Sequence, residues 1–186
     1  MPRAKRQAGL SLIELIVTIA ILSIVIGFTS QAWSWWVNKT RHRVIVENYY
    51  SLFAFARWAA VSNNSLVTVC PLSHQKLCID DWQKPVSVFL DANNDKAPDN
   101  GEILRQLESK LGSFTIKSRT SGRGYFQFTD QGVTHGAMGS LVLCPDNPSL
   151  GTMSYMPVNI AGRFRAEHDK DADGIIKLPW GGKVTC

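Results

Sequence analysis

Gly162-Arg163-Phe164-Arg165 sets two arginines two residues apart with an aromatic side chain between them. In an extended segment positions i and i+2 share a face, so Arg163 and Arg165 project outward together while Phe164 turns toward the core. Two adjacent guanidiniums can each hold a phosphate through paired N–H donors. Such contacts give affinity without reading base sequence, and they weaken steeply as salt rises. Lys170, Lys177 and Lys183 extend the basic character along the tail. Glu167, Asp169, Asp171 and Asp173 lie among them, so residues 162–186 carry a net charge of only +1.

Two acidic stretches place oxygen ligands at the spacing of a calcium loop. Asp91, Asn93, Asp95, Asp99 and Glu102 fall at positions 1, 3, 5, 9 and 12 of that template. Lys96 stands where the template needs glycine, and the flanks read as strands, so a polar hairpin loop with Asx turns accounts better for the pattern. Asp169, Asp171, Asp173 and Gly174 match positions 1, 3, 5 and 6, with Trp180 at position 12. Both stretches stand as calcium candidates, and no cofactor is implied. Serine-nucleophile, phosphate-loop and zinc-protease motifs are absent from the sequence, and His42, His74, His135 and His168 are scattered, so an enzyme is not expected.

The four cysteines, Cys70, Cys78, Cys144 and Cys186, match no familiar zinc spacing. In an exported head pairing is the default, with three connectivities open. The short loop between Cys70 and Cys78 favours joining those two, which leaves Cys144 and Cys186 to fasten the C-terminus to the head.

The elements that carry these groups begin with an apolar run. From Leu10 to Phe28 there are nineteen residues whose one charge is Glu14, and no other charge follows until Lys39. As a helix this run covers roughly 28 Å, the thickness of a bilayer's hydrocarbon core. Arg3, Lys5 and Arg6 precede it and hold that end in the cytoplasm. Without these three the net charge falls from +5 to +2, so bulk charge speaks for a cytoplasmic flank more than for nucleic acid. An ordinary secretory signal fits poorly, because the run is long and no small-x-small cleavage site follows. A carboxylate inside the run costs about 2.5–3.5 kcal/mol to insert unless something neutralises it. A cut between Gly9 and Leu10 would place a new α-amino group one helical turn before Glu14.

Ala-Gly-Leu-Ser-Leu-Ile-Glu-Leu, residues 8–15, resembles the signal of type IV prepilins and type II secretion pseudopilins. The resemblance implies that a prepilin peptidase cuts after Gly9 and methylates Leu10, and that Glu14 aids assembly with other pilin or pseudopilin subunits. Leu10 and Ser11 depart mildly from the usual Phe and Thr. The rest of the chain is similar to the FimT/FimU and GspH branch, through Ala56 to Asn64, Val-Cys-Pro from Val69, the Asp-x-Asn-x-Asp run from Asp91, Ile103 to Arg105, and Gly-Arg-Phe-Arg from Gly162. FimT-like members use a Gly-Arg-x-Arg element to hold DNA during natural transformation, so the resemblance implies double-stranded DNA as a partner of Arg163 and Arg165.

The expected fold is α+β and pilin-like: a long N-terminal helix packed against a β-rich head of two small antiparallel sheets. Residues 1–9 form the leader, 10–36 the transmembrane half of the helix, 37–63 its amphipathic half, and 64–186 the head, with the chain crossing the inner membrane once and its head in the periplasm. The apolar stripe of the second half is read as Val37, Val44, Leu52, Phe55, Ala56 and Ala59, with Trp33, Trp35 and Trp36 as an interfacial belt. The helix is expected to end at Asn63-Asn64. Strands are expected at 66–70, 86–90, 103–107, 114–117, 125–128, 141–144 and 155–159, with a last one near 162–165. Three functions fit: a minor pilin with or without DNA capture, a minor pseudopilin of type II secretion, or a calcium-stabilised adhesive subunit at a pilus tip.

Overall fold

The structure is a computed structural model and describes residues 11–136, 138–149, 151–171 and 173–186, leaving the side chains of 28–32 aside. Arg3, Lys5, Arg6, Gly9 and Leu10 lie outside the described residues. The chain divides into two units, Met1–Val37 and Asn38–Cys186.

The helix α1 runs over Leu12–Asn63. In the first unit its apolar side chains point to every side, and Leu12, Ile13, Ile16, Ile19, Leu22 and Ile26 are each more than half exposed. Thr18 and Ser23 donate their hydroxyls to the carbonyls of Leu15 and Ile19 at 2.8 Å, which satisfies both groups without solvent. The expected span starts and ends beyond the described side chains. Among the described residues no helix is long and apolar enough to cross a membrane.

In the second unit α1 buries Ile45, Tyr49, Leu52, Phe53, Ala56, Ala59 and Ala60. These fall at steps of three and four along one face. Of the stripe read from the sequence, Leu52, Ala56 and Ala59 are buried, Val37 and Phe55 are half-buried, and Val44 is exposed with Ile45 in its place. Helix α1 ends where Asn64 turns left-handed at φ 49°, and the N–H groups of Asn64 and Ser65 close on the carbonyls of Val61 and Ala60.

The strands are β1 Val67–Pro71, β2 Val86–Leu90, β3 Arg105–Leu107, β4 Phe114–Arg119, β5 Phe126–Phe128, β6 Gly139–Pro145, β7 Ser154–Val158, β8 Glu167–His168, β9 Ile175–Lys177 and β10 Lys183–Thr185. They form two antiparallel four-stranded sheets, β3-β2-β1-β5 and β4-β6-β7-β8, and a two-stranded hairpin, β9-β10, that the sequence reading did not anticipate.

One core joins the buried face of α1 to both sheets, through Val67, Val69, Val88, Phe126, Leu141 and Leu143 among others. Strand β6 is buried on both faces. Leu141 and Leu143 enter this core, while Val142 and Cys144 enter a second one with Met153, Ile176, Leu178 and Val184 beneath the β9-β10 hairpin. Disulfides join Cys70 to Cys78 and Cys144 to Cys186, so the last residue is tied to β6.

Candidate functional site

The arginine element lies on an arm that folds back along β7. Strands β7 and β8 pair Ser154 with His168 and Tyr155 with Glu167. The same register carried outward sets Val158 opposite Phe164, where an isolated bridge occurs. Between these points Pro157 has no N–H to give, so only one bond forms there, from Arg165 N–H to Pro157 O at 3.1 Å. The strand expected near 162–165 is therefore a turn followed by a single bridge, and the paired residues come later, at Glu167–His168.

Asn159 builds the turn. Its carbonyl accepts from Gly162 N–H at 2.9 Å and its side-chain oxygen accepts from Arg163 N–H at 2.9 Å. Gly162 has φ +70°, and a Cβ there would lie 2.3 Å from the Gly132 carbonyl oxygen. Arg57 Nε–H donates to that same oxygen at 2.8 Å. Beyond the turn Phe164 is 8% exposed and stacks on Phe53 at 4.8 Å between centroids, with Tyr50 edge-on at 6.2 Å. Arg163 and Arg165, on either side of it, are exposed.

Tyr50, Phe53, Ala54 and Arg57 of α1 face Gly162 to Arg165 across a cleft of about 270 Å³. Among the described residues neither Arg163 nor Arg165 has an ion pair. The cleft thus gathers three guanidiniums and one exposed tyrosine, a set suited to anionic backbones. Sequence reasoning brought neither Arg57 nor Tyr50 to this site. Their signal was the spacing Tyr50, Ala54, Arg57, which is one helix face.

The three lysines do not join this cleft. Lys177 Nζ lies 3.1 Å from both Asp171 and Asp173, so its charge is already paired. Lys170 and Lys177 line a different hollow with Asp169 and Asp171, and Lys183 lines a third with Arg119 and Trp180.

The first calcium candidate dissolves into local structure. Asp91 is fully buried, and its carboxylate accepts from Thr68 Oγ1–H at 2.6 Å, Gln127 Nε2–H at 3.0 Å and Lys96 N–H at 3.2 Å. Asn93 and Asp95 accept from the backbone of Asp95 and Ala97, the Asx turns expected of a polar loop. Among the described residues the only cluster of acidic, histidine or cysteine ligands is Asp169, Asp171 and Asp173.

Two of the four histidines meet. His42 Nε2 and His168 Nδ1 each lie 2.7 Å from Ser154 Oγ, a fully buried hydroxyl. Burial, helped by the neighbouring His168 ring, lowers His42 to about 4. Burial likewise pushes the Tyr49 phenol up.

Comparison with known proteins fits this architecture. A profile of the type II transport protein GspH matches residues 46–161, and a prokaryotic N-terminal methylation motif matches residues 4–30. No curated protein gives a significant match. Among solved structures, the type IV minor pilin FimU of Pseudomonas aeruginosa superposes with a TM-score of 0.55 at 20% identity, covering 67% of this chain and 87% of that one. A second crystal form of FimU gives 0.53 at 20% identity, over 67% and 91%. The minor pseudopilin EpsH of the Vibrio cholerae type 2 secretion system gives 0.47 at 11% identity, over 67% and 94%. At its 20% identity the FimU likeness speaks to the fold. With the profile covering most of the head and all of α1's buried face but Ile45, the chain belongs to the GspH family of pilin-like type II transport proteins.

Proposed function

We propose that this GspH-family subunit is a minor type IV pilin that captures double-stranded DNA along the cleft between α1 and the 162–165 arm. The observation that carries the reading is the two guanidiniums of Arg163 and Arg165, without an ion pair among the described residues and held on either side of the core-anchored Phe164, with Arg57 across the cleft. Each guanidinium takes a backbone phosphate, so binding is independent of sequence and sensitive to salt.

The same reading places the chain in the inner membrane, with the head in the periplasm and the apolar part of α1 in lipid. The exposure of Leu12, Ile13, Val17, Ile21 and Leu22, which lie on all sides of the helix, supports it, since such a surface needs cover. The methylation motif over residues 4–30 implies processing by a prepilin peptidase and assembly with other pilin subunits. The cut falls after Gly9, Leu10 becomes the methylated N-terminus, and its ammonium neutralises Glu14. No catalytic role is assigned.

Full-length protein in detergent, titrated with labelled duplex at two salt concentrations, tests the DNA reading. Arg163→Ala with Arg165→Ala should weaken binding at least tenfold and lower the salt slope by about 2. Unchanged binding would sink it. The GspH profile favours a second reading, a minor pseudopilin of type II secretion with no nucleic-acid role. In that case the double variant leaves DNA handling untouched, and deletion of the chain blocks protein export rather than DNA uptake.

A further inference from the structure

Asp169, Asp171 and Asp173 each bring one ligand oxygen to within 4.8 Å of the others. Three carboxylates that close repel one another unless a cation lies among them. Lys177 supplies one, with its ammonium 3.1 Å from Asp171 Oδ2 and 3.1 Å from Asp173 Oδ2. The hydrogen bond from Lys177 lowers the Asp173 carboxyl, and those to Asp171 and Asp173 raise Lys177.

That arrangement leaves a remainder. Asp169 is 7% exposed, and its Oδ1 is buried with no hydrogen-bond partner among the described residues, while Oδ2 accepts from Gly174 N–H at 2.8 Å. A buried carboxylate oxygen is not left bare without cause, because its lost hydration has to be replaced. The ammonium of Lys177 serves the two exposed carboxylates and not this one.

The donor set is oxygen only, which selects a hard cation over zinc or copper. The spacing Asp-x-Asp-x-Asp-Gly is the first half of a calcium loop, and Gly174 at φ +76° makes the sharp turn that its sixth position needs. We propose that Asp169, Asp171 and Asp173 form a calcium site in which the ion displaces the Lys177 ammonium and gives Asp169 Oδ1 its partner. Trp180 stands where a calcium loop has its bidentate glutamate, so the affinity falls in the range of extracellular modules, about 10⁻⁴–10⁻³ M. The site lies at the foot of the β9-β10 hairpin, and loading it stiffens that hairpin against β7. The Asp91 loop, whose carboxylate is already satisfied, takes no ion.

The test uses the full chain in detergent, stripped with a chelator and melted with calcium chloride or magnesium chloride alone. At several millimolar, calcium should raise the Tm by about 3–6 °C. Asp169→Asn and Asp171→Asn should each abolish the rise, the second serving if the first fails to fold, since Asp171 is exposed. Lys177→Met should tighten calcium binding several-fold, because the ion no longer competes with the ammonium. A Tm indifferent to calcium, an equal rise with magnesium, a rise that survives Asp171→Asn, or weaker binding in Lys177→Met would each overturn the proposal.

Discussion

Gly162 lies so close to Gly132 that a Cβ on it would come within 2.3 Å of the Gly132 carbonyl oxygen. The same oxygen accepts a hydrogen bond from Arg57 at 2.8 Å, so one carbonyl fixes both the helix arginine and the start of the 162–165 arm. Gly162→Ala therefore adds a clash with backbone to a left-handed conformation that alanine dislikes. The two effects together should cost about 2–4 kcal/mol. Gly174 has a similar φ of +76° but open space around its Cα, so Gly174→Ala should cost only about 1 kcal/mol. Urea unfolding of both variants checks the contrast, and equal losses would refute the close-approach argument.

The His42–Ser154–His168 network makes the head sensitive to acid. His42 sits at about 4 in the folded chain against an ordinary 6.5, with the Phe114 ring and His168 as its neighbours. Its folded value is the lower one, so the unfolded chain takes up the proton first. Stability from this group is fully present above pH 6.5, declines as pH falls toward 4, and declines no further below that. The Tm of the native chain should accordingly drop more steeply between pH 6.5 and 4 than that of His42→Gln. Parallel curves would show that the buried imidazole contributes nothing.

The two disulfides should differ in weight. Cys70 and Cys78 are separated by 8 residues and Cys144 and Cys186 by 42. By the chain-entropy estimate the shorter closure contributes about 2.5 kcal/mol and the longer about 4 kcal/mol. Beyond that difference, Cys144–Cys186 holds the tail whose Ile176, Leu178 and Val184 form the second core. Replacing Cys144 and Cys186 with serine should lower stability more than replacing Cys70 and Cys78, and should raise amide exchange in β9 and β10 first. Equal stability losses with no local exchange would count against this division.

Much of the head was legible because its signals are local. The run Val86–Leu90 reads as a strand from its β-branched residues and is one, and Asn63-Asn64 marks the helix end because asparagine tolerates the left-handed turn. The stripe on α1 holds at Leu52, Ala56 and Ala59 but misses at Val44, because Val44 and Ile45 are equally apolar and only the placement of the two sheets decides which is covered. The strand read at 162–165 failed because Asn159 turns the chain at Gly162 and Arg163, and because Pro157, on the facing strand, has no N–H to give Arg165. The β9-β10 hairpin escaped because three-residue strands carry too little alternation to stand out. At the site, Arg163 and Arg165 were visible as a motif, whereas Arg57 was not, because the cleft is made by folding.

That cleft separates the basic residues that matter from those that only add charge. Arg57 lies across it from Arg163 and Arg165, while Lys183 lines a hollow with Arg119 and Trp180, and Lys177 is held by Asp171 and Asp173. If phosphates run along the cleft, Arg57→Gln should weaken duplex binding by roughly tenfold, in the range of one lost charge-assisted contact. Lys183→Ala and Lys177→Ala should leave the affinity within about twofold, since neither lysine lines the cleft and Lys177 is already paired. Anisotropy titrations of the three variants at one salt concentration make the comparison. A loss in the lysine variants equal to that in Arg57→Gln would mean that DNA follows the tail instead, and the cleft would then be an incidental hollow between α1 and the arm.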